Sequence, residues 1–233
     1  MVGGAAFEEM GVAETKQTLV IYGKKGTLFA PRVWSVLKRY YPCPVKIMHG
    51  TLEDWIAQGG LVDTNALEAS ITANDLLEKA KDRKEALSAL ASPTAKSTIV
   101  GKDAVMEILE SSGSRSSMPS VIIDTRGSGG YANGHIPTAK NIPFASLTYC
   151  DNRLLMKPRD ELESILREEL GEEMVRKLVA KDAPPVLITC HAAISLCTLD
   201  LVLDELGFAE PWIYDGSWNE WGQDPLTPKE INE

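Results

Sequence analysis

The chain has 233 residues, room for one large domain or two small ones, and its 44% apolar and 24% charged residues are ordinary for a protein that buries a core. A net charge of −9 argues against nucleic acid or anionic membranes as partners, because both select basic surfaces. No stretch approaches the ~18 apolar residues that span a bilayer, and the acidic start from Met1 to Met10 reads as neither a secretory signal nor a mitochondrial presequence. Four cysteines without a CxxC pair and three scattered histidines give neither a disulfide framework nor a metal site, so no metal and no cofactor are expected. A reducing compartment follows, the cytoplasm first and the mitochondrion second.

Thr18–Tyr22 (TLVIY) is a short β-branched run and reads as a buried strand. A Gly/Lys turn follows over Gly23–Gly26. Pro31 opens a helix whose apolar side is Val33, Trp34 and Leu37. Pro44–Met48 is the next strand, His49-Gly50 a turn, and Thr51 caps a short helix carrying Trp55. From Asp63 to Lys96 the composition shifts to Ala, Lys, Glu, Asp and Ser, which predicts a solvated connection with a helix over Asn74–Leu90.

Ile99–Glu110 reads as an amphipathic helix, and Ser111–Ser117 (SSGSRSS) as a flexible loop. Val121–Asp124 (VIID) is a strand that ends at Thr125-Arg126, and Asn141–Pro143 returns toward the sheet. Pro158–Leu178 is helical, with Leu162, Ile165, Leu166 and Leu170 on one face. Val186–Thr189 is a strand with Cys190 directly after it. Ser195–Leu206 is a helix ended by Gly207, Trp212–Tyr214 a strand, and Asp215-Gly216-Ser217 a turn into a last short helix. Strands alternating with helices predict an α/β fold with an open sheet, whose sites form outside the carboxyl ends of the strands. Asp124, Arg126, Cys190 and Asp215 all fall there.

The chain also repeats itself weakly. Ile47-Met48-His49-Gly50-Thr51-Leu52-Glu53-Asp54-Trp55 aligns with Ile213-Tyr214-Asp215-Gly216-Ser217-Trp218-Asn219-Glu220-Trp221. The preceding strand end lies 27 residues before the aligned glycine in one copy (from Gly23) and 26 in the other (from Cys190). Only the second copy has a cysteine at that strand end.

The segments VLITCHAAISLC…LGF…IYDGSWNEWG (Val186–Gly222) and VIIDTR…YANGHIPTAKNIPF (Val121–Phe144) resemble the active-site loop and the Asp-x-Arg and Gly-His-Ile-Pro motifs of the rhodanese/3-mercaptopyruvate sulfurtransferase family. GTLFAPRVW and HGTLEDW resemble the back half of that family's inactive N-terminal domain, and the resemblance covers about residues 7 to 225. It implies a rhodanese-like open parallel sheet with helices on both faces: one complete domain plus the back half of an inactive second copy. The expected division is a partial, non-catalytic N-terminal rhodanese domain over 1–62, a connecting segment over 63–98 and a catalytic C-terminal rhodanese domain over 99–233. The loop departs from the family in Ala193, where a glycine is usual, and Gly130 stands where a charged residue often precedes the aromatic at Tyr131.

The implied activity is sulfur transfer from 3-mercaptopyruvate, or thiosulfate second, through a Cys190 persulfide to a thiol or cyanide, a thioredoxin-like protein being one acceptor. The alternative is a non-catalytic rhodanese fold kept for binding or regulation, or an inactive truncated form. A thiolate is needed to attack a sulfane sulfur. Cys190 precedes a helix whose N-terminal dipole favours negative charge, and the backbone N–H groups of His191, Ala192, Ala193, Ile194 and Ser195 can form an anion nest. If that backbone needs φ > 0 at Ala193, the alanine is strained. The loop carries no Lys or Arg after Cys190, which favours a monocarboxylate over doubly charged thiosulfate. Arg126 can hold the substrate carboxylate with its fork, or brace the loop against Asp124. His191 can stabilise the thiolate or point to solvent.

Asp124, Asp215 and Ser217 are expected to support the loop. His135 is expected as a structural hydrogen-bonder, Cys197 as core and Trp218 and Trp221 as core anchors or cleft walls. Cys43 and Cys150 carry no pattern. An incomplete domain leaves apolar surface open to self-association.

Overall fold

A computed structural model of the chain describes residues 18–25, 27–40, 44–64, 98–111, 119, 121–149 and 155–231. The first unit is strand β1 (Leu19–Gly23), helix α1 (Phe29–Tyr40), strand β2 (Val45–Thr51) and helix α2 (Leu52–Ala57), with β1 and β2 paired in parallel. Strand β2 runs through the expected His49-Gly50 turn. The β1–β2 register slips between Ile21 and Gly23, and Gly50, at φ 116, sits in the slip that carries the strand on to Thr51. Thr51 caps α2 as its sequence implies. Its Oγ1 accepts from the Asp54 N–H, and the Asp54 carboxylate accepts from the Thr51 N–H at 3.0 Å, a closed capping box. Helix α1 starts two residues before Pro31, which is tolerated because first-turn N–H groups have no intrahelical acceptor to lose.

The second unit comprises β3 (Ile99–Val100), α3 (Lys102–Ser111), β4 (Ile122–Asp124), α4 (Ser128–Ala132), β5 (Lys140–Asn141), a 3-10 turn (Phe144–Ser146), α5 (Arg159–Leu170), α6 (Glu172–Ala180), β6 (Leu187–Thr189), α7 (Leu196–Glu205), β7 (Trp212–Tyr214) and α8 (Ser217–Trp221). Its five strands pair in parallel in the order β3-β7-β6-β4-β5. Strand residues alternate between the two faces. Ile123, Ile188 and Ile213 pack with Leu162 and Leu166 of α5, Val175 and Leu178 of α6 and Leu199 and Val202 of α7. Ile122, Leu187 and Tyr214 pack with Val105 and Ile108 of α3, Ile136, and Trp221 of α8. Helices therefore cover both faces of an α/β sheet.

Two further expectations fail for local reasons. Ile99–Glu110 is not one helix: β-branched Ile99 and Val100 pair with Ile213 and Tyr214 as the edge strand, and the helix begins only after Gly101. Pro158–Leu178 is two helices, because Gly171 at φ 85 breaks the path between α5 and α6. The expected helix over Asn74–Leu90, nearly all of the 63–98 connection, and Cys43 and Cys150 lie outside the described residues.

The units meet along α1 and α7. Arg39 of α1 donates from Nη1 and Nη2 to the Asp200 carboxylate of α7 at 2.7 and 3.1 Å, and Ser35 Oγ donates to the same carboxylate at 2.6 Å. Arg39 Nε also lies 3.0 Å from Glu210, and Lys38 pairs with Asp204 at 2.6 Å.

Candidate active site

Parallel strands deliver their C-terminal residues to one edge, and three expected site segments gather there. Strand β4 ends at Asp124, β6 ends one residue before Cys190, and β7 ends one residue before Asp215. Cys190 is 1% exposed and packs with the α7-side core, as its parity with Ile188 requires.

Ser217 organises the loop. Its Oγ accepts from the N–H of Cys190 at 3.4 Å and of Ala193 at 3.2 Å, so two loop donors meet on one oxygen. The same hydroxyl lies 2.9 Å from the Tyr214 carbonyl and 4.0 Å from Cys190 Sγ. A single proton cannot serve both, and the shorter contact takes it. The backbone also ties the loop to the turn after β7: Trp218 N–H donates to the Cys190 carbonyl and Asn219 N–H to the His191 carbonyl, each at 2.9 Å. Ser217 reaches this position at φ 54, so it turns back to the loop instead of capping α8, whose N-cap Gly216 has no side chain to offer.

Ala193 adopts φ 53, the left-handed region its sequence position raised as a question, and its methyl is buried. His191 and Ala192 are exposed; Ile194 and Ser195 are half-buried. Ser195 Oγ lies 3.3 Å from Thr125 Oγ1, linking the start of α7 to the end of β4. Among the described residues, the N–H groups of His191, Ala192, Ile194 and Ser195 donate to no protein acceptor. These donors precede the N-terminus of α7, where the helix dipole adds to them.

Arg126 is turned inward. It is 8% exposed, and its Nε and Nη2 donate to the Asp124 carboxylate at 2.9 and 2.6 Å. Nη2 also reaches the Gly134 carbonyl at 2.6 Å, and the guanidinium lies 4.3 Å over the Trp218 ring. The Gly-His-Ile-Pro segment completes this wall. A Cβ on Gly134 would stand 3.0 Å from the Trp218 ring, so only glycine fits without displacing it. His135 is buried, stacks on Tyr131 at 3.8 Å, and bonds the Tyr131 carbonyl through Nδ1 at 3.0 Å.

Asp215 does not bond to the Cys190 loop among the described residues. Its carboxylate accepts from Arg32 Nη2 of α1 at 2.9 Å. Arg32 and Thr125 are site neighbours that sequence reasoning missed: nothing in a local pattern tells that an α1 arginine meets a turn 183 residues away. Cys197 lies wholly inside α7, donates to the Ala193 carbonyl at 3.5 Å, and burial pushes its thiol up to about 11. A cavity of about 800 Å³ lies between β2, α1, the 3-10 turn, α5 and α7, but its walls include neither Cys190 nor residues 191–195. Among the described residues, no cluster of three or more His, Cys, Asp or Glu is placed to hold a metal ion, and no helix is long and apolar enough to cross a membrane.

Known proteins resemble this chain along most of its length. The chain is 28% identical to the mitochondrial thiosulfate/3-mercaptopyruvate sulfurtransferase 1 of Arabidopsis thaliana, over 94% of this chain and 58% of that protein. It is 25% identical to the 3-mercaptopyruvate sulfurtransferase of Escherichia coli K12, over 97% and 72%. The chain thus spans less than two-thirds of the Arabidopsis relative's length. A solved structure of an anaerobic ergothioneine biosynthesis enzyme from Chlorobium limicola, with trimethyl histidine bound, superposes with a TM-score of 0.67 at 17% identity. It covers 93% of this chain and 51% of that one, a likeness of fold alone. The model of the rhodanese-like domain matches residues 105–224, more than half of the chain and the stretch from within α3 to just past α8. The chain therefore belongs to the rhodanese family, whose members include the 3-mercaptopyruvate sulfurtransferases.

Proposed function

We propose that this chain is a sulfurtransferase in which Cys190 carries a sulfane sulfur from a small anionic donor, 3-mercaptopyruvate before thiosulfate, to a thiol or cyanide. The observation that carries the reading is the set of loop N–H groups, at His191, Ala192, Ile194 and Ser195, that have no protein acceptor among the described residues and lie between Cys190 and the start of α7. Such donors suit the negative charge of a thiolate or persulfide. In the first step the Cys190 thiolate attacks the donor's sulfur. The carbon–sulfur bond of mercaptopyruvate breaks, its electron pair stays on carbon, and protonation there releases pyruvate. In the second step the acceptor attacks the outer sulfur, and the sulfur–sulfur bond returns its electron pair to Cys190. An acceptor thiol can belong to a thioredoxin-like protein.

The fork of Arg126 is occupied by Asp124 and Gly134, so in this reading it braces the wall and the donor carboxylate rests on the loop N–H groups instead. The neutral loop favours a monocarboxylate donor. A second reading, a binding or regulatory module, draws on the 1% exposure of Cys190.

Intact-mass spectrometry after brief incubation with 3-mercaptopyruvate or thiosulfate separates the two. The expected result is one added sulfur that is lost in Cys190→Ser and retained in Cys197→Ser. No added sulfur from either donor on folded protein overturns the enzyme reading in favour of the binding module.

A further inference from the structure

Asp215 presents a problem for any anion that must reach Cys190. Its side chain is 52% exposed, and it stands one residue after β7 and two before Ser217, whose hydroxyl holds the Cys190 loop. Two peptide links place its Cα within about 7 Å of that of Ser217. The molecule around it already carries a net charge of −9. An uncompensated carboxylate here would repel an anionic donor and oppose charge on the sulfur. The 191–195 loop supplies no Lys or Arg to offset it, and the fork of Arg126 is spent on Asp124.

The compensating charge comes from the other unit. Arg32, in the first turn of α1, donates through Nη2 to Asp215 Oδ1 at 2.9 Å, with 29% of its own side chain exposed. Its other terminal nitrogen, Nη1, is shut from solvent and has no hydrogen-bond partner among the described residues. Burial opposes the arginine's charge, but the bond to Asp215 offsets it, so the group stays cationic. The three basic residues of α1 that form ion pairs with the second unit thus differ in kind. Arg39 and Lys38 meet acidic groups on α7 and in the segment before β7, whereas Arg32 meets the turn that holds the catalytic loop.

We infer that Arg32 is a positioning residue of the Cys190 site: the N-terminal unit neutralises Asp215 beside the loop, and this admits anionic reagents to the sulfur. The inference rests on Cys190 being the reacting sulfur. It assigns the β1–α1–β2 unit a part in reactivity through one ion pair.

The test reads the electrostatic field at Cys190 without requiring sulfur transfer. Cys190 is alkylated with anionic iodoacetate and, separately, with neutral iodoacetamide, and the rates are followed on the Cys190 peptide by mass spectrometry. In both reactions the thiolate forms a carbon–sulfur bond and iodide leaves. The readout is the ratio of the two rates, from which a general change in access or thiolate content cancels.

Arg32→Gln is expected to lower the iodoacetate/iodoacetamide ratio about threefold to tenfold at low salt, the size of effect of one partly screened unit charge, and less at high salt. Arg32→Lys keeps the charge and should keep the ratio. Asp215→Asn, an exposed change that does not threaten folding, should raise the ratio, and adding it to Arg32→Gln should restore the original value. Lys38→Gln removes the same charge from the same helix and should leave the ratio unchanged. Equal ratios in the parent, Arg32→Gln and Asp215→Asn proteins would overturn the inference. So would a wild-type Cys190 that neither reagent modifies. If the ratio shifts as stated while no donor adds sulfur, the proposed activity fails and the role of Arg32 stands.

Discussion

At the scale of the residue, Ala193 in the loop and Ser217 in the turn that holds it adopt positive φ for opposite energetic reasons. Ala193 sits at φ 53, which costs an L-residue about 1–2 kcal/mol. Changing it to glycine relieves that strain, but it exposes a methyl-sized gap worth about 0.8 kcal/mol and adds about 0.5–1 kcal/mol of chain entropy. The terms nearly cancel, so Ala193→Gly should change unfolding free energy by less than about 1 kcal/mol. Ser217 is at φ 54 with a different ledger, because its oxygen is the acceptor for two buried N–H groups. Ser217→Ala strands both donors at about 1 kcal/mol each, given contacts as long as 3.2 and 3.4 Å, and should cost about 2 kcal/mol. Urea unfolding of the two variants checks the pair. A larger loss from Ala193→Gly than from Ser217→Ala would show that the methyl, not the hydroxyl, holds the loop.

At the scale of the element, α7 is a helix whose described side chains from Leu196 to Leu203 are all buried, and Cys197 is fully enclosed within it. Burial, the largest cause, lifts its thiol from an ordinary 9.0 to about 11, partly offset by Ser35 and Arg32. An acid whose folded-state value is raised stabilises the fold only while it keeps its proton in both states. Above pH 9 the unfolded chain loses that proton first, so stability falls until pH 11 and then levels off. The span corresponds to about 2–3 kcal/mol. The stability difference between wild type and Cys197→Ala should therefore shrink by that amount between pH 8.5 and 11.5. A difference that stays constant would mean that the thiol is not held in its neutral form.

The same helix shows what sequence can and cannot disclose. Its stripe of Leu196, Leu199, Leu203 and Leu206, its stop before Gly207 and the position of Cys190 ahead of it were legible, because periodicity and strand ends are local signals. The Thr51 cap was legible for the same reason. The strand Ile99–Val100 was hidden because two residues are too few to show a period of two, and the amphipathic run beside them absorbed them. The occupied fork of Arg126 and the partner of Asp215 were not legible as single outcomes, since each depends on which side chain the fold brings within 3 Å.

At the scale of the whole molecule, the two described strands of the first unit sit beside a five-stranded sheet. Among the described residues, β1 leaves Val20 and Tyr22 more than half exposed. The contact with α7 therefore carries part of the first unit's stability. Two ion pairs there have very different worth. Lys38–Asp204 is partly solvated, with side chains 27% and 48% exposed, and should contribute no more than about 1 kcal/mol, less in salt. Arg39–Asp200 is enclosed, at 6% and 0%, and the Asp200 carboxylate also accepts from Ser35. Removing one partner of such a pair costs up to about 3–5 kcal/mol, less here because Glu210 stays 3.0 Å from Arg39 Nε.

Asp200→Asn should consequently undo the docking where Asp204→Asn does not. The loss should be local: amide hydrogens of β1 and β2 should exchange much faster, while those of β4, β6 and β7, held by their own two-sided core, keep most of their protection. Hydrogen exchange followed by mass spectrometry reads both sheets in one experiment. Equal acceleration in the two sheets would mean that the units unfold as one cooperative body, and the α1–α7 contact would then be part of a single core instead of a dock between two.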